Sequence, residues 1–112
     1  MGDVLGSFEQ AVLLAIVELR DAAYGRAILR CVQERLGREV AAGAAHATLS
    51  RLEKKGLAVS DLGSGTPIRA GRRRRYYRPT PAGVQALNDA YAAAQRLWSG
   101  LAWPLKGWEG YA

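Results

Sequence analysis

From Ala11 to Val17 the sequence runs AVLLAIV, an unbroken apolar stretch lying between Glu9 and Glu18. A helix through it, expected over about Phe8 to Leu19, is apolar on almost every side, whereas a helix lying on a protein surface carries a single apolar stripe. Such a helix has to be covered on both faces. One face is expected to pack on the rest of the domain and the other, through Leu13 and Val17, on a second subunit. Ser7 followed by Gln10 fits a capping box at the helix start. The run is far shorter than the roughly 20 residues a membrane span requires, and no basic segment precedes it as in a signal peptide.

The chain of 112 residues is one domain's worth, and 49% apolar with 23% charged residues is the mix of an ordinary globular protein. A single cysteine, Cys31, makes no internal disulfide and fits a reduced, cytoplasmic setting. The formal net charge is +6. Lys54, Lys55 and Lys106 are the only lysines among the 16 basic residues, so the excess is arginine. That balance favours a polyanionic partner, either nucleic acid or an anionic membrane surface.

Tyr24, Ile28, Val32 and Leu36 recur at four-residue steps and stop at Gly37, which suits the left-handed position after a helix. Val40, in the connection that follows, is a possible single strand contact. A third helix is expected from Gly43 to Lys55, ended by Gly56, with Ala45, Leu49 and Leu52 inward. Leu57 to Leu62 reads as a half-buried strand with Leu57 and Val59 on one side. Gly63 to Pro67 is turn chemistry, and Arg74 to Arg78 is the returning strand. Thr80-Pro81 is a cap followed by proline at the first helical position. From there Val84, Leu87, Tyr91, Ala94, Trp98 and Leu101 alternate three- and four-residue spacings, the seam of a helix–helix contact. The remainder, AWPLKGWEGYA, is expected to pack on the body or fray.

Three helices and a two-stranded hairpin in this order are those of a winged helix-turn-helix: a mainly α fold with a small β-hairpin wing and a C-terminal dimerisation helix. The division expected is a DNA-binding region over residues 1–79 and a dimerisation helix with its tail over 80–112. With Ala45, Leu49 and Leu52 inward, Gly43, Ala47, Ser50, Arg51 and Lys54 point outward. These are small enough to let the helix approach base edges or able to donate to phosphate and guanine. An ordinary solvated face would look similar and is the commoner reading for an isolated helix; the hairpin weighs against it.

GRRRRYYR, from Gly71 to Arg78, puts successive guanidinium groups at a hairpin tip, where they can neutralise phosphates or enter a narrow minor groove. A solvated charge run and a membrane-surface patch are the alternatives, but no amphipathic membrane helix accompanies it. Because strand residues alternate in direction, only one of Tyr76 and Tyr77 can face the core. No catalytic or metal constellation is legible: His46 is the single histidine, and neither C-x-x-C nor H-E-x-x-H occurs. Neither an enzyme nor a cofactor is expected.

The segments LGSFEQAVLLAI, AYGRAI, GAAHATLSRLEKKGL and GRRRRYYRPTPAG resemble the PadR family of bacterial regulators over almost the whole span from Leu5 to Leu87. Thr48-Leu49, Arg51-Leu52-Glu53, Gly56-Leu57, Tyr76-Tyr77-Arg78, Thr80 and Gly83 match the family's pattern, and His46 stands where the family usually has tyrosine. The resemblance implies a dimeric repressor of a palindromic operator in double-stranded DNA, often relieved by a small molecule. Taken with the reading of the residues, it puts His46, Ala47, Ser50, Arg51, Lys54, Arg72, Arg73, Arg74, Arg75, Tyr76 and Arg78 at the DNA. Leu13, Val17, Val84, Leu87, Tyr91, Ala94, Trp98 and Leu101 are then dimer contacts. Tyr91, Ala94 and Trp98 are the speculative binding place of an aromatic or hydrophobic effector, with plain dimer packing as the simpler reading. A winged-helix protein–protein module without specific DNA binding is the alternative function.

Overall fold

The computed structural model describes residues 5–63 and 74–108. Among these residues four helices and one antiparallel hairpin follow in the order α1 (Ser7–Leu19), α2 (Gly25–Leu36), α3 (Ala42–Lys54), β1 (Ala58–Leu62), β2 (Arg75–Pro79) and α4 (Pro81–Trp98), with a 3-10 turn at Arg20–Ala22. The expected winged arrangement is the one observed.

Helix α1 is the centre of the molecule. Ala11, Val12, Leu13, Ala15 and Ile16 are buried, and the helix packs against α2, α3, β2 and α4. Most of the second coat that its all-round apolarity demands is therefore supplied by its own chain. Leu13 is 0% exposed and has no surface to offer a partner; Val17 is exposed. The helix starts one residue earlier than expected. Gly6 is the N-cap, with its N–H donated to Glu9 Oε1 at 3.1 Å and Gln10 Nε2 donating to the Leu5 carbonyl at 3.0 Å. The carboxylate of Glu9 thus does the work assigned to Gln10, and no N-cap side chain does that assigned to Ser7.

Helix α2 buries Ile28, Cys31 and Val32 and ends at Gly37 (φ 66°), whose N–H bonds to the Gln33 carbonyl at 2.9 Å. Val40 is buried, but its N–H goes to the Gln33 side chain at 3.0 Å. The isolated strand contact lies instead at Tyr24, which bridges to Tyr76, while Tyr77 N–H donates to the Ala23 carbonyl at 2.8 Å.

Helix α3 turns Ala45, Thr48, Leu49 and Leu52 inward. At its end Gly56 (φ 75°) allows the Leu57 N–H to return to the Leu52 carbonyl at 2.9 Å, which swings the chain into β1. The register Ala58↔Pro79, Ser60↔Tyr77, Leu62↔Arg75 puts Ala58 and Ser60 on the face of Tyr77. Ala58 and Tyr77 are buried and Val59 is exposed, so the inward side of β1 is the opposite of the one expected. The buried Tyr77 ring lies beneath the hairpin, with Ala58 and Ser60 on the same face.

Thr80 roots α4. Its hydroxyl donates to the Gly56 carbonyl at 2.7 Å and accepts from the Gly83 N–H at 3.0 Å. Leu87 and Ala86 pack on the core. From residue 93 to residue 108 every residue is exposed, and the helix stands clear of the body, giving extents of 61 × 32 × 20 Å. It ends at Trp98, so Leu101 lies past the helix and outside its periodic face. The tail folds against the helix's own end: Trp103 Nε1 donates to the Trp98 carbonyl at 2.7 Å, and the two rings are 4.6 Å apart. Among the described residues, no helix is long and apolar enough to cross a membrane, and no group of side chains is arranged to hold a metal ion.

Candidate nucleic-acid interface

The outer face of α3 follows from its inner one. With Ala45, Thr48, Leu49 and Leu52 buried, Gly43, His46, Ala47 and Lys54 are exposed and Ser50 is half-buried. Arg51 sits on the flank of this face and leans toward the body. It donates to Thr48 Oγ1 at 2.8 Å, and its Nε lies 3.9 Å from Glu9 Oε2. The same carboxylate oxygen takes the Lys55 ammonium at 2.9 Å. Glu9 is thereby held below the ordinary carboxylate value, chiefly by the Lys55 hydrogen bond and against the opposing effect of burial. Neither Glu9 nor Lys55 was singled out by sequence; four-residue spacing from Arg51 to Lys55 is the signal that links them, since it stacks two cations on one side of a helix.

Two of the cations at the wing's base, Arg75 and Arg74, are tied to the body, and a third, Arg78, is paired within the hairpin. Arg75 Nη1 donates to Ser60 Oγ at 3.1 Å, and Ser60 donates in turn to Glu53 Oε2 on α3 at 2.7 Å. Arg78 pairs with Asp61 at 3.7 Å on the outer face. Arg74 lies over the Tyr24 ring, 4.0 Å from its centroid. Tyr76 is half-buried with its ring edge on Tyr24, centroids 5.8 Å apart and planes at 66°. Tyr77 is the tyrosine beneath the hairpin, and burial pushes its phenol up. Arg72 and Arg73, with most of the turn, lie outside the described residues. Tyr24 is the residue sequence reasoning missed: its place in the four-residue stripe of α2 read as core, and only the tertiary contact with β2 reveals its second use.

On α4, Val84, Tyr91, Ala94 and Trp98 are exposed on one side, with Leu97 beside them at 79% exposure, the highest of the large apolar residues among those described. Leu87 is half-buried against its own core. Cys31 is buried beside Glu18, whose carboxylate also pairs with Arg35; burial pushes the thiol up, the mark of an inert cysteine.

A helix face of small and cationic residues next to a two-stranded arginine wing, carried on three packed helices, defines a winged-helix regulator of the DNA-binding class. The family model described as "Transcriptional regulator PadR-like family" matches residues 13–89, and the chain belongs to that family. Among solved structures it is similar to the PadR family transcriptional regulator from Eggerthella lenta, at 30% identity over 77% of this chain and 72% of that one, TM-score 0.60. RosR from H. salinarum is 28% identical over 88% of this chain and 81% of that one, TM-score 0.66. A PadR family regulator from Clostridium difficile is 27% identical over 82% and 90%, TM-score 0.62. No curated protein matches the sequence.

Proposed function

We propose that this chain is a sequence-specific transcription regulator that binds a palindromic operator as a homodimer, represses, and is relieved by a small aromatic or hydrophobic molecule. One observation carries the reading: α3 presents an outward face with no large apolar side chain, while α4 presents large apolar residues, Val84, Tyr91, Leu97 and Trp98, that stay exposed among the described residues. The first surface suits a DNA groove, and the second suits a twin. Two copies joined through Val84, Leu87, Tyr91, Ala94 and Trp98 would offer two α3 helices to successive major grooves, about 34 Å apart on one side of a duplex. His46, Ala47, Ser50, Arg51 and Lys54 would meet base edges and phosphates, and the wing arginines would meet the backbone. Residues 1–79 act as the reading head and 80–112 as the coupling helix. The setting is the cytoplasm. Tyr91, Ala94 and Trp98 from both copies would flank the twofold axis, where a flat apolar molecule has matching walls.

The test pairs sedimentation with duplex titration. Dimers in solution and one dimer per palindromic site are expected, with affinity falling steeply as salt rises because released counterions dominate the binding term. A monomeric protein, or one indifferent to duplex DNA at low salt, overturns the proposal.

A further inference from the structure

The wing meets the body at one point that the reading of its arginines does not use. Tyr24 is the N-cap residue of α2, and three separate contacts join it to β2 and its approach: the backbone bridge to Tyr76, the ring edge on Tyr76, and the guanidinium of Arg74 over its face. Gly63 completes the arrangement. A β-carbon there would lie 2.8 Å from Tyr76 Cε1, so the glycine leaves the room that lets the Tyr76 ring stand against Tyr24. The Gly63 N–H donates to the Arg74 carbonyl at 2.8 Å, which fixes the backbone that carries the arginine.

An exposed arginine samples many rotamers, and freezing them on binding costs affinity. Arg74 is exposed yet already stacked, so its guanidinium edge is free for an anion while its face is held. We infer that Tyr24 is a positioning residue for duplex binding: it holds Arg74 at the entrance of α2 so that this arginine meets a backbone phosphate from a fixed point. Tyr24 itself makes no contact with the DNA. The inference rests on the DNA-binding reading above and adds to it a residue of the body.

The test is a double-variant cycle in duplex affinity, with thermal unfolding measured alongside. Arg74→Ala weakens binding to every sequence and lowers the dependence of log affinity on log salt by about one phosphate's worth. Tyr24→Leu weakens it about two- to fivefold, the size of an exposed cation–π contact. In the Arg74→Ala background the Tyr24→Leu change has no further effect, and Tyr24→Phe, which keeps the ring, binds like the parent. Additive losses, or a Tyr24→Phe loss equal to that of Tyr24→Leu, overturn the inference while leaving DNA binding intact; absence of duplex binding by the parent protein instead overturns the reading beneath it. A measurement on the unaltered protein covers the case in which Tyr24→Leu unfolds. The Nε–H of Arg74 is expected to be more ordered, by NMR relaxation in the free protein, than that of Arg26, which is exposed on α2 without a side-chain partner among the described residues. Equal order in the two arginines also overturns it.

Discussion

Gly83 on α4 packs so closely on Leu57 that a β-carbon at position 83 would lie 2.1 Å from the Leu57 carbonyl oxygen. That oxygen also accepts the Thr80 N–H at 3.1 Å, so the contact and the cap fix the angle at which α4 leaves the body. The obstacle is backbone, which cannot swing aside as a side chain would. Gly83→Ala is expected to destabilise the fold by about 1–3 kcal/mol or more, as overpacking does, measured by urea unfolding. It should also weaken duplex binding beyond the stability loss, because a tilted α4 would misplace the two heads of a dimer.

Acid should act on the Glu9 clamp. A carboxyl whose folded pKa is lowered contributes stability that is present above its ordinary value and lost as pH falls through the folded one. For Glu9 the ordinary value is 4.5, and the Lys55 hydrogen bond lowers it. Glu9→Gln is therefore expected to cost about 0.5–1 kcal/mol at neutral pH, a difference that shrinks as pH drops below 4.5. Unfolding free energies of parent and variant across that range check it; a constant difference counts against the clamp.

Arg51 and the wing should fail in different ways. Arg51→Ala is expected to relax preference at one or two base pairs, by about 1–3 kcal/mol if the contact is bidentate to guanine. Replacing Arg73, Arg74 and Arg75 by alanine should weaken binding to all sequences alike and flatten its salt dependence. Selection from a randomised duplex pool separates the two outcomes.

For the dimer, Tyr91→Glu with Trp98→Glu is the informative pair, since both side chains are exposed and Leu87 is partly committed to the protomer core. Buried like charges at a twofold contact are strongly unfavourable. The variant is expected to sediment as a folded monomer and to bind a palindromic duplex at least tenfold more weakly, because linked half-sites no longer act together.

Much of this was legible in the residues. The four-residue stripe of α2, the inward triplet of α3, the glycines at 37 and 56 and the Thr80-Pro81 start of α4 each report a local requirement, and local requirements survive into the fold. What pattern conveys poorly is the identity of the neighbour. The apolarity of Ala11 to Val17 says that α1 is covered, but not that α2, α3, β2 and α4 do the covering. Alternation in β1 left its inward side to be decided by Tyr77 across the ladder, and the ring chose Ala58 over Val59. Tyr24 shows the same limit at the candidate site: one side chain serves the start of α2 and the wing together, and only the second role bears on DNA.

Because α1 finds most of its wrapping inside one chain, folding and the proposed pairing would be separable events. In the proposed dimer a protomer would complete its reading head alone and meet its twin afterwards through α4. Concentration would then govern how many heads work in tandem, and any molecule lodging between the paired helices could change their mutual span without unravelling either head.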